Sequence, residues 1–513
     1  MSRRRVLAVV ALAAVPFALL VWRFDFLCDD AYISFRYARH LVEGRGLTFN
    51  PGESPPVEGF SNLMWVLWMA LVSRLGAPME VASRVSSFAC GLALLALFIR
   101  FLARRGEFPA RSVVAGALFL AVLPPIALWS TSGLETMPFA LACFATFERL
   151  CGDRERPHGV AAGLCAAAAA LLRADGVLWA AIVIAAAGVG WARSRSPVLR
   201  RAILVTAAIL AVTVAANFDW RNEYFGQWLP NTAYVKVGLS AMRLERGANY
   251  LAGLALAVPP LAYVPIVVFA RRGRAPLLAL QAGVVVGAGA LYAAYVGGDF
   301  MPMGRMVTAA MPFVALLFAI AAARIERAGP RAAFTWGSLA LLVLADAGAP
   351  FVPHSVLQVF HHRWNVTEAP TEIEVWNTMR SHAAEWRTLG RALSLNTKPG
   401  ESIVLGNVGA IGFETELLIY DEFGIVTPEV ARRDAAPVRA SAGHDRRVPP
   451  AFFLRYHPTY VNAVLVPPDS PADAGLPSDW ELQAPGVRLA VERRSLPVDE
   501  FGPGVELRLL RPH

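Results

Sequence analysis

Apolar stretches of about 14 to 24 residues alternate with short polar loops from the N-terminus to roughly residue 349, and this alternation predicts a bundle of membrane-crossing helices. The first stretch follows Arg3-Arg4-Arg5 and runs to Trp22. No small-residue cleavage pattern precedes Phe24-Asp25, and Phe26-Leu27-Cys28 lacks the small residues of a lipoprotein site, so a first transmembrane helix with a cytoplasmic N-terminus is expected. Ten more stretches lie at roughly 80–103, 110–128, 135–151, 159–172, 177–191, 202–218, 250–270, 277–296, 306–323 and 332–349. Several fall short of the ~20 residues of a straight span, which leaves their ends loose. Basic clusters at Arg104-Arg105, Arg154 to Arg156, Arg193 to Arg201, Arg271 to Arg274 and Arg324 to Arg331 occupy every second loop, as a cytoplasmic face requires. Eleven spans satisfy that pattern. Ser61 to Leu75 is apolar as well, but a twelfth span there would carry every later basic cluster to the outer face, so it is expected to lie in the outer interface.

Beyond Ala349 the apolar runs give way to tryptophans, histidines, charges and short alternating segments. Residues 1–349 therefore read as a membrane domain and 350–513 as a separate α/β domain, placed outside by an odd number of spans. Ile373 to Leu395 has helical spacing; Ser402 to Leu405, Leu417 to Tyr420, Tyr460 to Val466, Val487 to Glu492 and Val505 to Leu510 read as strands. The glycine-rich turn from Leu405 to Gly412 is read as tight backbone packing, because no nucleotide is expected there.

Composition narrows the class. With 513 residues, 56% hydrophobic and 17% charged, the chain is too apolar for a soluble protein of its size, and its mean hydropathy is +0.46. The net charge of +9 sits in the alternating basic loops, so nucleic acid is not an expected partner. Five cysteines, all at or before Cys165, give the C-terminal region no disulfide framework.

With this topology the unusual polar motifs share one face. They are Asp29-Asp30 with Arg36; Glu58 to Asn62; Ser132-Gly133-Leu134-Glu135-Thr136; Arg173-Ala174-Asp175-Gly176; Leu229-Pro230-Asn231-Thr232 with Lys236; and Gly297-Gly298-Asp299 with Arg305. Each alone has a structural reading as a turn, a cap or an interfacial belt, and Asp29-Asp30 can equally open a helix from Tyr32 to Leu41. Gathered together they suit a substrate that is half lipid and half polar. Arg36, Arg173, Lys236 and Arg305 are candidates for an anionic lipid head group, and neighbouring carboxylates could activate a hydroxyl. Glu58, Glu135, Asp175, Asn231 and Asp299 complete the candidate donor contacts. The carboxylate pair could instead hold a divalent cation with Glu58 or Asp299, although no cofactor is required. His361-His362 and His444-Asp445 lack companion ligands at metal-site spacing. Trp364, Trp376 and Trp386 could stack on acceptor sugars or pack the helix.

The motifs Asp29 to Ala38, Phe49-Asn50-Pro51-Gly52-Glu53, Glu58-Gly59-Phe60, Ser132 to Thr136, Leu229 to Thr232 and Gly297 to Asp299 together resemble those of the bacterial GT-C glycosyltransferases. In particular they resemble the mycobacterial terminal arabinofuranosyltransferases that use decaprenyl-phosphoryl-arabinose. The likeness extends to Leu405 through Thr427 and Ser441 to Pro450. It implies a multi-pass enzyme of the bacterial inner membrane that moves one sugar, arabinofuranose in the nearest relatives, from a polyprenyl-phosphate donor to a cell-envelope glycan acceptor on the outer side. It also implies that Asp29-Asp30 is the catalytic pair, with Asp29 as base and Asp30 as its orienting partner or a sugar-hydroxyl contact, an order the sequence does not fix. The tryptophan-tryptophan-aspartate signature of oligosaccharyltransferases is absent, which argues against transfer of a preassembled glycan. A lipid or sugar transporter should show polar, broken helices in two related halves. A membrane-anchored glycan sensor would leave Asp29 and Asp30 expendable.

Overall fold

The computed structural model describes residues 1–153, 156–236, 240–270, 276–325, 328–349, 356, 370–433, 442–471, 474 and 486–513. Each of the eleven expected apolar stretches is helical. Among the described residues, seven helices are individually long and apolar enough to cross a membrane, and an eighth span is completed if Ala241–Ala257 and Pro260–Phe269, which meet at 91°, count as one. The bend falls at Pro259-Pro260, where two missing N–H groups interrupt the helical ladder. Ala110–Ala121, Thr136–Cys151 and Gly159–Leu172, at 12, 16 and 14 residues, are the short members.

The burial pattern shows how the bundle is built. In Arg3–Arg23, Val9, Ala13, Phe17 and Val21 form a buried stripe at a spacing of four, while Leu7, Leu12, Val15 and Leu19 face outward as lipid-facing residues should. Met311–Arg324 is buried along almost its whole length and forms the bundle's centre. Its Phe318 stacks on Phe119 at 4.1 Å, and a Cβ added at Gly116 would fall 2.9 Å from Ala319, so the two backbones approach closely through small residues. Leu63–Arg74 buries Trp65, Val66, Met69 and Ala70 and exposes Leu67, Trp68 and Leu71; it packs on Asp29–Val42, as an interfacial helix beside that loop should.

The C-terminal region follows the expected order closely. Thr371 and Glu374 form a capping box that starts Glu372–Asn396. β1 (Ser402–Leu405) pairs in parallel with β2 (Leu418–Asp421), and β3 (Asn462–Val466), β4 (Leu489–Ser495) and β5 (Glu506–Pro512) form an antiparallel sheet in the order β3-β5-β4. This region is seated on the loops of the bundle by side chains that bind its backbone. Asn50 donates to Ile419 O at 3.0 Å and accepts from Ile419 N at 2.9 Å, standing in for a strand partner.

Candidate active site

Asp29 and Asp30 occupy the first turn of the Asp29–Val42 helix, where carboxylates complement the helix dipole. Their side chains diverge. The Asp29 carboxylate accepts from Ala410 N at 2.7 Å and Gly409 N at 3.1 Å, capping the Gly409–Glu414 helix of the C-terminal region. A Cβ on Gly409 would lie 2.0 Å from Asp29 O, so the glycine turn is what lets this contact form. Desolvation pushes Asp29 up to about 7 in spite of the two amide donors.

Asp30 lines two adjoining cavities, and Asp29 lines the larger of them. The smaller, of about 130 Å³, also takes in Glu135, Arg173, Asp299 and Arg305 from three separate loops, with His444 and Asp445 from the C-terminal region. Glu135 is buried and ties the cations together: Arg305 lies 3.3 Å from it and Arg173 3.6 Å, while Asn62 donates to it at 2.8 Å. Arg173 is held bidentately by Asp175 at 2.8 and 3.0 Å, and its guanidinium lies over Phe139. Arg305 lies over Trp129, and its Nε has no hydrogen-bond partner among the described residues. The larger cavity, of about 1240 Å³, separates the Asp29-Asp30 turn from the Glu372–Asn396 helix and the β1 turn; Trp386, His382 and Phe423 stand in its wall.

The remaining candidates are placed elsewhere. Arg36 is fully buried; it donates to Phe49 O and Leu417 O at 2.8 Å each and to Gly412 O, so each of its three guanidinium nitrogens binds a carbonyl, and it lines neither cavity. Glu58 is closed off by an Arg221 ion pair at 2.6 Å, with burial pushing it up to about 7. Asn231 donates to Gly424 O at 2.6 Å and Ile425 O at 2.9 Å and so anchors a loop. The Lys236 side chain, like Trp364 and His361-His362, lies outside the described residues. Trp376 is buried against Phe24, which leaves Trp386 as the cavity tryptophan.

The expected cation site also changes. Glu58 is not available beside Asp29-Asp30, and among the described residues the one cluster of three ligand atoms is His40, Glu43 and Glu416. There Arg45 and Arg39 already pair with the two glutamates at 3.3 and 3.2 Å.

Sequence reasoning missed Arg243 and Arg246, which bind Asp445 at 3.0 and 2.7 Å. The apolar pattern begins only near residue 250, so the helix that carries both arginines was not extended back to Ala241. A serine cap at Ser240 was the available signal.

A family model described as a domain of unknown function (DUF8728) matches residues 373–498. No curated protein matches the chain. Among solved structures, ArnT from Cupriavidus metallidurans is similar in the apo state with a TM-score of 0.57 and 14% identity, covering 98% of this chain and 97% of ArnT. The same protein bound to undecaprenyl phosphate gives 0.57 and 13%, covering 99% and 98%. The arabinofuranosyltransferase AftD from Mycobacteria gives 0.50 and 17% identity, covering 99% of this chain and 40% of AftD. The full-length match to ArnT, together with the apolar helices, shows that the chain is a multi-pass membrane protein with the GT-C fold.

Proposed function

We propose that the chain is an inverting glycosyltransferase that moves a single sugar from a polyprenyl-phosphate donor to a hydroxyl of a cell-envelope glycan, at the outer face of the bacterial inner membrane. The observation that carries this reading is Asp30, standing where a small, arginine-bearing cavity meets a large one. Arg305 and Arg173 suit a lipid phosphate in the small cavity. The large cavity has room for the terminal sugars of an acceptor, with Trp386 as a stacking surface. ArnT, of the same fold, is seen with undecaprenyl phosphate bound.

In this scheme the acceptor oxygen attacks the anomeric carbon and forms the new glycosidic bond, its proton passing to the Asp30 carboxylate. The bond from the anomeric carbon to the phosphate oxygen breaks, and its electron pair leaves with the polyprenyl phosphate. Arg305 and Arg173 meet the charge that develops there. A single displacement inverts the anomeric centre. Glu135 holds the two arginines at their spacing, and Asp299, whose Oδ1 accepts from Met301 N at 3.3 Å, has its other oxygen for a sugar hydroxyl. Asp29 keeps the C-terminal wall in place, which exchanges the roles expected for the two aspartates. The division at about residue 349 makes that wall a domain of its own.

The transporter reading asks for paired broken helices. The described residues contain one bent pair, and the ionisable groups collect at one end of the bundle. The test is transfer by purified protein in lipid nanodiscs from a panel of polyprenyl-phosphate sugars, arabinofuranose included, to an envelope-glycan extract. One donor should be consumed with inversion; a panel on which none is consumed overturns the reading.

A further inference from the structure

Five residues line both cavities: Asp30, Ile33, Phe300, Ile425 and His444. Among them only Asp30 and His444 offer polar side chains. A sugar that passes from a donor in one cavity to an acceptor in the other crosses at this junction, so both groups face the point of transfer.

The position of His444 is set with unusual thoroughness. Its ring stands edge-on between Phe300 and Phe423, with centroids 4.8 and 4.7 Å away. The next residue, Asp445, is buried and gripped by Arg243 at 3.0 Å and by both amino groups of Arg246 at 2.7 and 3.1 Å. Arg246 also donates through Nε to Gly297 O at 3.0 Å. Gly297 and Gly298 both take positive φ, 91° and 76°, and a Cβ on Gly298 would meet Tyr250 at 2.6 Å. One guanidinium thus registers two chain segments, one leading to Asp299 and Phe300 and the other carrying His444. The bidentate pairing and the shared Gly297 carbonyl fix the spacing of the two segments, which makes the cluster an effective locating device.

We infer that His444 is the second polar contact at the point of transfer, hydrogen-bonding a hydroxyl of the acceptor sugar beside the one that reacts, and that the Arg243–Asp445–Arg246 clasp is its positioning device. A single imidazole nitrogen can hydrogen-bond a sugar hydroxyl, which suits a polyhydroxylated acceptor and leaves the acceptor proton to Asp30. This rests on the transferase reading. The clasp explains why the site needs the C-terminal region at all: the bundle supplies the arginines, and the distant segment supplies the ring they locate.

The experiment compares wild type with His444→Phe, His444→Gln and Asp445→Asn in nanodiscs, reading acceptor kcat/KM alongside equilibrium binding of undecaprenyl phosphate. His444→Phe keeps the ring packing and removes the polar contact; it should lower acceptor kcat/KM at least tenfold with undecaprenyl phosphate affinity changed less than threefold. His444→Gln should recover most of that loss, and Asp445→Asn should behave like His444→Phe. Full activity in His444→Phe would reduce the histidine to packing and overturn the inference. Equal loss of undecaprenyl phosphate binding and transfer in Asp445→Asn and His444→Phe would overturn it too, by showing a collapsed donor cavity. A wild type that transfers nothing removes the transferase reading, and the inference with it, and the wild-type arm alone reveals that result.

Discussion

The sharpest test is the contrast between Asp30→Asn and Asp29→Asn. A pKa near neutrality is what a general base wants, and by that criterion Asp29, raised to about 7, is the better candidate. Its geometry says otherwise, because both carboxylate oxygens are committed to the Gly409 and Ala410 amides. Losing a positioned base removes ~10² to 10⁴ in rate, about 3 to 5 kcal/mol of transition-state stabilisation. Asp30→Asn should therefore lower kcat by that factor, with undecaprenyl phosphate affinity and thermal midpoint nearly unchanged. Asp29→Asn keeps one oxygen for one amide and turns an NH2 toward the other, so it forfeits one hydrogen bond of ~1 to 2 kcal/mol. The expected result is a lower thermal midpoint and a kcat within about tenfold of wild type. Single-turnover transfer in nanodiscs, with melting followed in parallel, separates the two. Abolished turnover in Asp29→Asn at unchanged stability, with Asp30→Asn fully active, would refute the assignment.

Arg305→Ala should weaken undecaprenyl phosphate binding and lower kcat by about 10- to 100-fold, with Arg305→Lys intermediate, since a point charge replaces a planar fork; unaltered binding would remove Arg305 from the phosphate site. Glu58→Gln strands the buried Arg221, so the thermal midpoint should fall by an amount equivalent to ~3 to 5 kcal/mol while the folded fraction keeps its specific activity, and adding Arg221→Met should restore part of the loss. Trp386→Ala should raise the acceptor KM several-fold and spare undecaprenyl phosphate binding, read in the same two assays. Burial lowers His40 to about 4, below its unfolded value near ~6.5, so the unfolded chain binds the extra proton and stability is lost as pH falls from about 6.5 to 4. His40→Gln should flatten that part of the midpoint-against-pH curve, and an unchanged curve would exclude His40 as its source.

The hydrophobic repeat carried most of the architecture. The four-residue stripe of Arg3–Arg23, the short apolar Leu63–Arg74 segment and the strands of the C-terminal region were all readable, because local periodicity reports which face is buried. The helix Ala241–Ala257 was half missed, since its first two turns carry Arg243 and Arg246 inward to a carboxylate that lies far along the chain. Among the candidate site residues, Arg305 and Arg36 look alike in sequence: each is a cation near an aromatic and a glycine turn. One lies over Trp129 with an unpartnered Nε in a cavity wall, and the other is consumed by three carbonyls. What separates them is which backbone arrives from elsewhere, and no local pattern encodes that.

The same argument explains why polar motifs cluster so densely at this end of the bundle. Asp29, Arg36, Asn50 and Asn231 bind main-chain groups between Gly409 and Ile425, in a segment that enters the structure after the helices are laid down in sequence. Main-chain groups left unpaired at helix ends, strand edges and turns must find partners when they are buried. Side chains from the loops supply those partners, and the residues Ala442 to Asp445 that follow the segment line the smaller cavity. Some of the polar motif residues therefore build the wall, and others line the cavities. The two halves separate in the laboratory: wall residues should change stability and binding together, whereas Asp30, Arg305 and His444 should change turnover or ligand affinity at constant stability.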